Sequence, residues 1–248
     1  MSRMITGDVW EVTSPEGISE TVKDLHAYCE QNKLSYGLVW GNKAGWRSSR
    51  LSIDAMAPKI EGYVHITDAQ TNEVILSEHN AIHYENMSHA IALTLAHRGY
   101  GHFNKMVFGN GASTVAGTGT ITYFPANIEG IDAAIYNQTY EKIIDDNNLL
   151  NDDDTRNFME IVHSAGTTYT DIVIHCYLDY NEPSDQEAFD DTTNMESFYV
   201  FDELGIVSYP QNGNGTGRLL THCIFNPIQK SLNRAFEIEY TIRIYLSQ

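Results

Sequence analysis

The 248-residue sequence predicts a mainly β protein: an antiparallel β-sandwich or barrel-like domain with one crossing helix, preceded by a small N-terminal α/β appendage. Three observations carry that expectation. Runs of alternating apolar and polar residues recur at short intervals from Ile60 onward. Clusters of Gly, Asn and Pro separate them. The strand–helix–strand alternation of a doubly wound sheet is missing from the pattern.

Taken in order, Ser14-Pro15-Glu16 reads as an N-cap, a proline at the first helical position and an acidic first turn. Ile18, Val22, Leu25 and Cys29 follow at one-turn spacing, which predicts a helix over 15–32. LSYGLVWG (34–41) reads as a strand and GNKAGWRSSR (41–50) as a loop. Residues 1–57 thus form a helix-strand appendage, a docking arm or subdomain, and 58–248 the β-rich assembly domain.

In that domain EGYVHITDAQTNEVILSEHN alternates on both sides of Gln70-Thr71-Asn72, as a hairpin would. Met87, Ala90, Ile91, Leu93 and Leu95 mark a helix ended by Gly99. MVFGNGASTVAGTGTITYFPAN supplies a short strand, a Gly/Ser/Thr loop and a second short strand. The Asn/Asp-rich stretch between Tyr136 and Arg156 reads as a surface segment. Strands are predicted at 170–180, 197–209, 217–226 and 235–247, with turns at Asn181-Glu182-Pro183 and Asn212-Gly213-Asn214-Gly215.

A formal charge of −18 and a pI near 4.7 oppose phosphate backbones, and Lys43, Arg47 and Arg50 are too sparse for a nucleic-acid footprint. Neither a membrane-spanning run nor the apolar core of a leader peptide stands out, so no membrane partner is expected. Cys29, Cys176 and Cys223 are odd in number and far apart, which argues for a reducing compartment and against a disulfide framework.

Chemistry-bearing patterns favour structural readings. His79 and His83 have helical metal-site spacing, but the glutamate beside the first histidine is missing. His175-Cys176 and His222-Cys223 sit on strands, where neighbours point to opposite faces, so each pair reads as a core cysteine with an outward histidine. Asp145, Asp146, Asp152, Asp153 and Asp154 lack the ligand order of a calcium loop; Asp154 could cap a helix starting near Thr155. GNGASTVAGTG (109–119) lacks the GK[ST] ending of a phosphate loop, and no serine sits in a nucleophile elbow. The chain therefore reads as having no catalytic residue, no metal site and no cofactor, hence as not an enzyme. The expected subunit contacts are Asn110, Thr114 and Thr118 in loop 109–119, Tyr123 and Phe124 before Pro125, and Tyr136 and Tyr140 in segment 136–142. Phe225, Pro227, Asn233 and Arg234 are read as a structural turn between the last two strands.

GYVHITDAQTNEVILSEHNAIHYENMSHAIALTLA, KMVFGNGAS, IYNQTYEKIIDD, FDELGIVSYP and LLTHCIFNPIQKSLNRAFEIEYTIRI together resemble virion structural proteins of tailed bacteriophages, over about residues 58–248. The resemblance implies a subunit of the neck, tail or baseplate, made in the host cytoplasm and incorporated in the virion. Its partners would be further copies of itself and other phage virion proteins. A capsid decoration protein is one alternative. A receptor- or carbohydrate-binding β module, with Trp10, Trp40 and Trp46 as stacking platforms, is another.

Overall fold

The computed structural model describes residues 9–22, 25–35, 39, 42–51, 59–180, 182–183, 198–213, 215–231 and 233–245. The chain divides into two compact units, one within residues 1–59 and the other Ile60–Tyr245.

In the first unit, β1 (Val9–Thr13) lies between β2 (Ser19–Val22) and β3 (Arg47–Leu51), both antiparallel to it. Leu25 and Cys29 of α1 (Leu25–Gln31) pack with Val12 and Val39. The helix expected over 15–32 thus starts ten residues late. Ser14 O accepts from Gly17 N at 2.9 Å, and Gly17 has φ +84°, so Ser14–Gly17 reverses the chain as the β1–β2 hairpin instead. Arg47–Arg50, expected as loop, belong to strand β3 because their backbone completes the sheet against β1. Leu34 and Ser35, from the strand expected over 34–41, are in no strand, and Val39 is helical; 36–38, 40 and 41 lie outside the described residues.

The second unit is a β-sandwich-like fold of two five-stranded antiparallel sheets. One runs β10 (Gln138–Ile143), β7 (Phe103–Gly109), β13 (Phe198–Ser208), β14 (Leu219–Ser231), β6 (Ala81–Ile82). The other runs β11 (Phe158–Val162), β12 (Tyr169–Leu178), β15 (Phe236–Tyr245), β4 (Lys59–Asp68), β5 (Val74–His79). Period-2 patterning aims Val64 and Ile66 of β4, Ile174, Cys176 and Leu178 of β12, and Ile238, Tyr240 and Ile242 of β15 into one core. Met106, Phe108, Phe201, Leu220 and Phe225 meet them from the first sheet. The Phe201 ring bridges the layers, edge-on to Phe108 and Phe225 and 6.5 Å from Phe236. The β4–β5 hairpin turns where expected: Asp68 accepts from Gln70 N and Thr71 N, and Asn72 has φ +56°.

α2 (Tyr84–Leu95) buries Asn86, Met87 and Ala90, while Leu95 is exposed. It stops earlier than Gly99, because His97 takes the left-handed conformation (φ 52°) and Arg98 N closes onto Leu93 O at 3.0 Å. The Asn/Asp-rich stretch is not all surface. Gln138–Ile143 pairs with β7 as a sheet edge, and Tyr140, Lys142, Ile144 and Asp145 are buried. No helix begins near Thr155: Asp153, rather than Asp154, accepts from Arg156 N and Thr155 Oγ1, closing a turn before β11. Phe225 and Pro227 belong to β14, which runs five residues further than expected; only Asn233 and Arg234 fall in its connection to β15. No helix among the described residues is long and apolar enough to cross a membrane.

Candidate functional site

The outer face of the first sheet is covered by segment 124–137, and two polar side chains that the alternation should hide or expose are instead both outward and buried. Phe201 and Leu204 of β13 both point into the core, although a regular strand would separate them by an even step. The register against β14 slips between Phe201 and Glu203. This bulge turns the adjacent carboxylates of Asp202 and Glu203 to the covered face together.

Glu203 accepts from Gly111 N (3.1 Å), Tyr136 N (2.8 Å), Asn137 N (2.8 Å) and His222 Nε2 (3.0 Å). Asp202 accepts from Ala112 N (3.1 Å) and Ser113 Oγ. His222 Nδ1 accepts from Asn127 N at 2.9 Å, which assigns the ring proton to Nε2 and makes that nitrogen the donor to Glu203. His83, the N-cap of α2, is held the same way: Nδ1 accepts from Asn86 N and Nε2 donates to Gly130 O. Asn86 Nδ2 donates to Ile131 O and Leu219 O. Beneath this polar ring, Ile135 packs on Val107, Val207 and Leu219. Gly205 permits it, since a Cβ there would meet Thr221 O at 2.6 Å and Ile135 Cγ2 at 3.4 Å.

Burial opposes ionisation of Glu203, but the His222 and backbone N–H bonds override it and hold the carboxyl below its ordinary range. Asp202 goes the other way: burial pushes it up against the opposing bonds from Ser113 and Ala112. A buried His–Glu pair resembles half of a catalytic triad. Here both imidazole nitrogens are engaged within the fold and both side chains have zero exposure, so the pair works as a clasp rather than a proton relay.

The clasp anchors the base of an arm. β8 (Ser113–Val115) and β9 (Ile121–Tyr123) form a separate two-stranded hairpin that pairs with neither large sheet. Val115, Ile121, Tyr123 and Phe124 are exposed along it. At its root, Phe124 N donates to Ala112 O and Tyr123 Oη to Asn226 Oδ1.

The structure gathers most of the expected contact residues here. Thr114 and Thr118 are exposed on the arm, and Tyr123, Phe124 and Tyr136 flank its root, with Phe124 and Tyr136 rings 5.3 Å apart. Asn110 is half-buried and bonded to Asn137. Tyr140 departs from expectation: it lies in the core beside Phe108, because β10 turns it inward. Sequence reasoning missed Asp202, Glu203 and His222. Cys176 and Cys223 do face the core, but His222 is buried beneath segment 124–137 instead of reaching solvent. The signal was the pair of acids inside the apolar run FYVFDELGIVSY.

Elsewhere, Trp10 and Trp46 pack against the small core of the first unit, and Trp40 lies outside the described residues. Among the described residues, no three His, Cys, Asp or Glu side chains group as metal ligands. No family model, curated protein or solved structure matches the chain.

Proposed function

We propose that the protein is a structural component of a tailed bacteriophage particle, assembling in several copies in the neck, tail or baseplate. One observation carries the reading beyond the sequence resemblance: a hairpin arm with an apolar exposed flank, set on a base that buried carboxylates hold rigid. A two-stranded ribbon standing alone is marginal in water, and its apolar flank is stabilised by packing on a neighbouring subunit. The −18 charge keeps free subunits apart and suits a basic partner ring, with contacts that salt weakens.

The test is the mass by light scattering of the wild type and of the double variant Val115→Asp/Ile121→Asp, alone and mixed with tail or neck complexes at low and high salt. The expected result is a defined oligomer, or salt-sensitive incorporation into those complexes, lost in the variant while its circular dichroism is unchanged. A wild type that stays monomeric and ignores the complexes would overturn the reading.

A further inference from the structure

The outer side of an edge strand presents unpaired N–H and C=O groups that call for another strand, and proteins guard such edges with short strands, bulges, charges or covering segments. Three of the four edges of the two large sheets are guarded. β6 is two residues long. β10 bulges against β7 between Gln138 and Tyr140 and carries Glu141 and Lys142. β5 carries Glu78, and its register against β4 slips between Ile66 and Thr67. β11 is the exception. Its five residues pair with β12 in unbroken register, from Phe158 opposite His175 to Val162 opposite Asp171. Among the described residues no strand pairs with its outer side. Its one charge, Glu160, reaches back to His175 of β12 at 3.4 Å. Met159 and, opposite it, Ile174 of β12 belong to the sandwich core or pack against it. Ile161 points to the same side two residues on, opposite the half-buried Ile172, yet it is 67% exposed. The core is thus open along this edge.

The β8–β9 arm is the matching half. It is a ribbon with open edges of its own, and its three-residue strands fit along the five residues of β11. Val115 and Ile121 are directly paired across it and both exposed, so one face of the ribbon is apolar. The charges match as well. Met106–Ile128 contains no charged residue, in a chain of net charge −18. Copies of so acidic a protein repel one another, and an uncharged arm on an apolar edge is where they can touch at least electrostatic cost. The arm is rooted on the first sheet, beside Ala112 and Asn226, whereas β11 is the outer strand of the second. A contact between two different surfaces is the head-to-tail arrangement from which rings are built.

We propose that β11 receives the β8–β9 arm of a second copy of this chain by strand addition, with Val115 and Ile121 of one subunit closing the core beside Ile161 of the next. The proposal rests on the assembly reading above and names the strand that accepts the arm. Main-chain hydrogen bonds supply the pairing, and the apolar side chains select the face.

The test is hydrogen exchange and light scattering on the full chain. In the wild type, raising the protein concentration should slow exchange at the amides of 158–162 and of the arm together. Ile161→Lys, at an exposed edge position, should weaken self-association at least about tenfold with an unchanged melting temperature, as Val115→Asp/Ile121→Asp does. An equimolar mixture of these two variants, each keeping one half of the contact, should form a pair of twice the 27.9 kDa subunit mass. Salt should strengthen this contact by screening the repulsion between copies, the reverse of its effect on a basic partner. A wild type that is monomeric alone overturns the proposal, and the assembly reading falls with it only if tail and neck complexes are ignored too. An oligomer lost in the arm variant but kept in Ile161→Lys, β11 amides that do not slow, or a mixture that stays monomeric overturns the proposal and leaves the reading standing.

Discussion

A carboxylate with zero exposure inside a β-sheet must find its partners within the protein, and Glu203 has three backbone N–H groups and the His222 ring. Glu203→Gln keeps the shape but turns one acceptor into an NH2 group facing donors, so urea unfolding should show a loss of about 2–3 kcal/mol. Its pH signature is distinct. A carboxyl held below its ordinary range contributes stability that is complete above about pH 4.3 and lost as pH falls through the folded value. The wild type should therefore lose stability into acid more steeply than the variant; parallel profiles would contradict the clasp. Lys230 offers the alkaline counterpart. It has zero exposure, its Nζ donates to Asp179 O at 2.7 Å and Glu182 O at 2.5 Å, and burial pushes its pKa down to about 8 against the pull of the Glu182 and Asp179 charges. A neutral amine keeps two N–H donors, enough for both carbonyls. For a lysine depressed on folding, the unfolded chain binds more protons between about pH 8 and its ordinary 10.4, so this residue's contribution to stability rises with pH across that window. Lys142, raised by Glu182 despite burial, works in the opposite sense, so the comparison must be with Lys230→Met, whose stability should rise less from pH 8 to pH 10 than the wild type's.

At the scale of elements, the place where the chain leaves β5 for β6 beside β4 shows how closely the strands are fitted. A Cβ on Gly62 would stand 1.7 Å from Asn80 Oδ1, and Asn80 continues a chain of hydrogen bonds through the Tyr240 hydroxyl to Thr221 on the opposite sheet. Gly62→Ala should displace Asn80 and destabilise by about 2–3 kcal/mol, because overpacking and a broken buried bond act together. Adding Gly62→Ala to Asn80→Ala should cost much less, since the clash is gone; urea titrations of the double-mutant cycle should give a coupling of about 1–3 kcal/mol. A cycle that sums without coupling would exclude this contact. The same elements show what the sequence made legible. β4, β12 and β15 carry period-2 alternation, because each presents one face to the core and the other outward, and their positions follow from it. β13 is buried on both faces from Phe201 to Ser208, so its pattern does not alternate, and the bulge at Asp202 leaves no mark in composition. The clasp joins Glu203 to His222 and to backbone N–H groups of distant segments, pairings that only strand register creates. At Ser14–Gly17 the helix signals were real, but a positive-φ glycine and the edges of β1 outweighed them.

For the molecule as a whole, the two units differ in the size of what holds them together. The core of Ile60–Tyr245 draws on both five-stranded sheets, whereas among the described residues of the first unit the core is Val12, Leu25, Cys29 and Val39, with Trp10, Val22, Tyr28, Leu34 and Trp46 half-buried around them. Among the described residues no side chain belongs to both clusters. Small cores are marginal because the fraction of surface removed from water falls with chain length. Scanning calorimetry of the full chain should therefore show the first unit melting before the second, as two transitions rather than one. A fragment of residues 59–248 should keep the upper transition, with its midpoint moved by less than about 4 °C, the shift that ~1 kcal/mol produces in a domain of this size. The same fragment bears on assembly, since it retains the clasp and the β8–β9 arm. If the arm drives self-association, the fragment should form the same oligomer as the full chain. If it is monomeric while the full chain is not, the subunit contacts lie in the first unit, and Val115→Asp/Ile121→Asp should then leave the oligomer of the full chain intact.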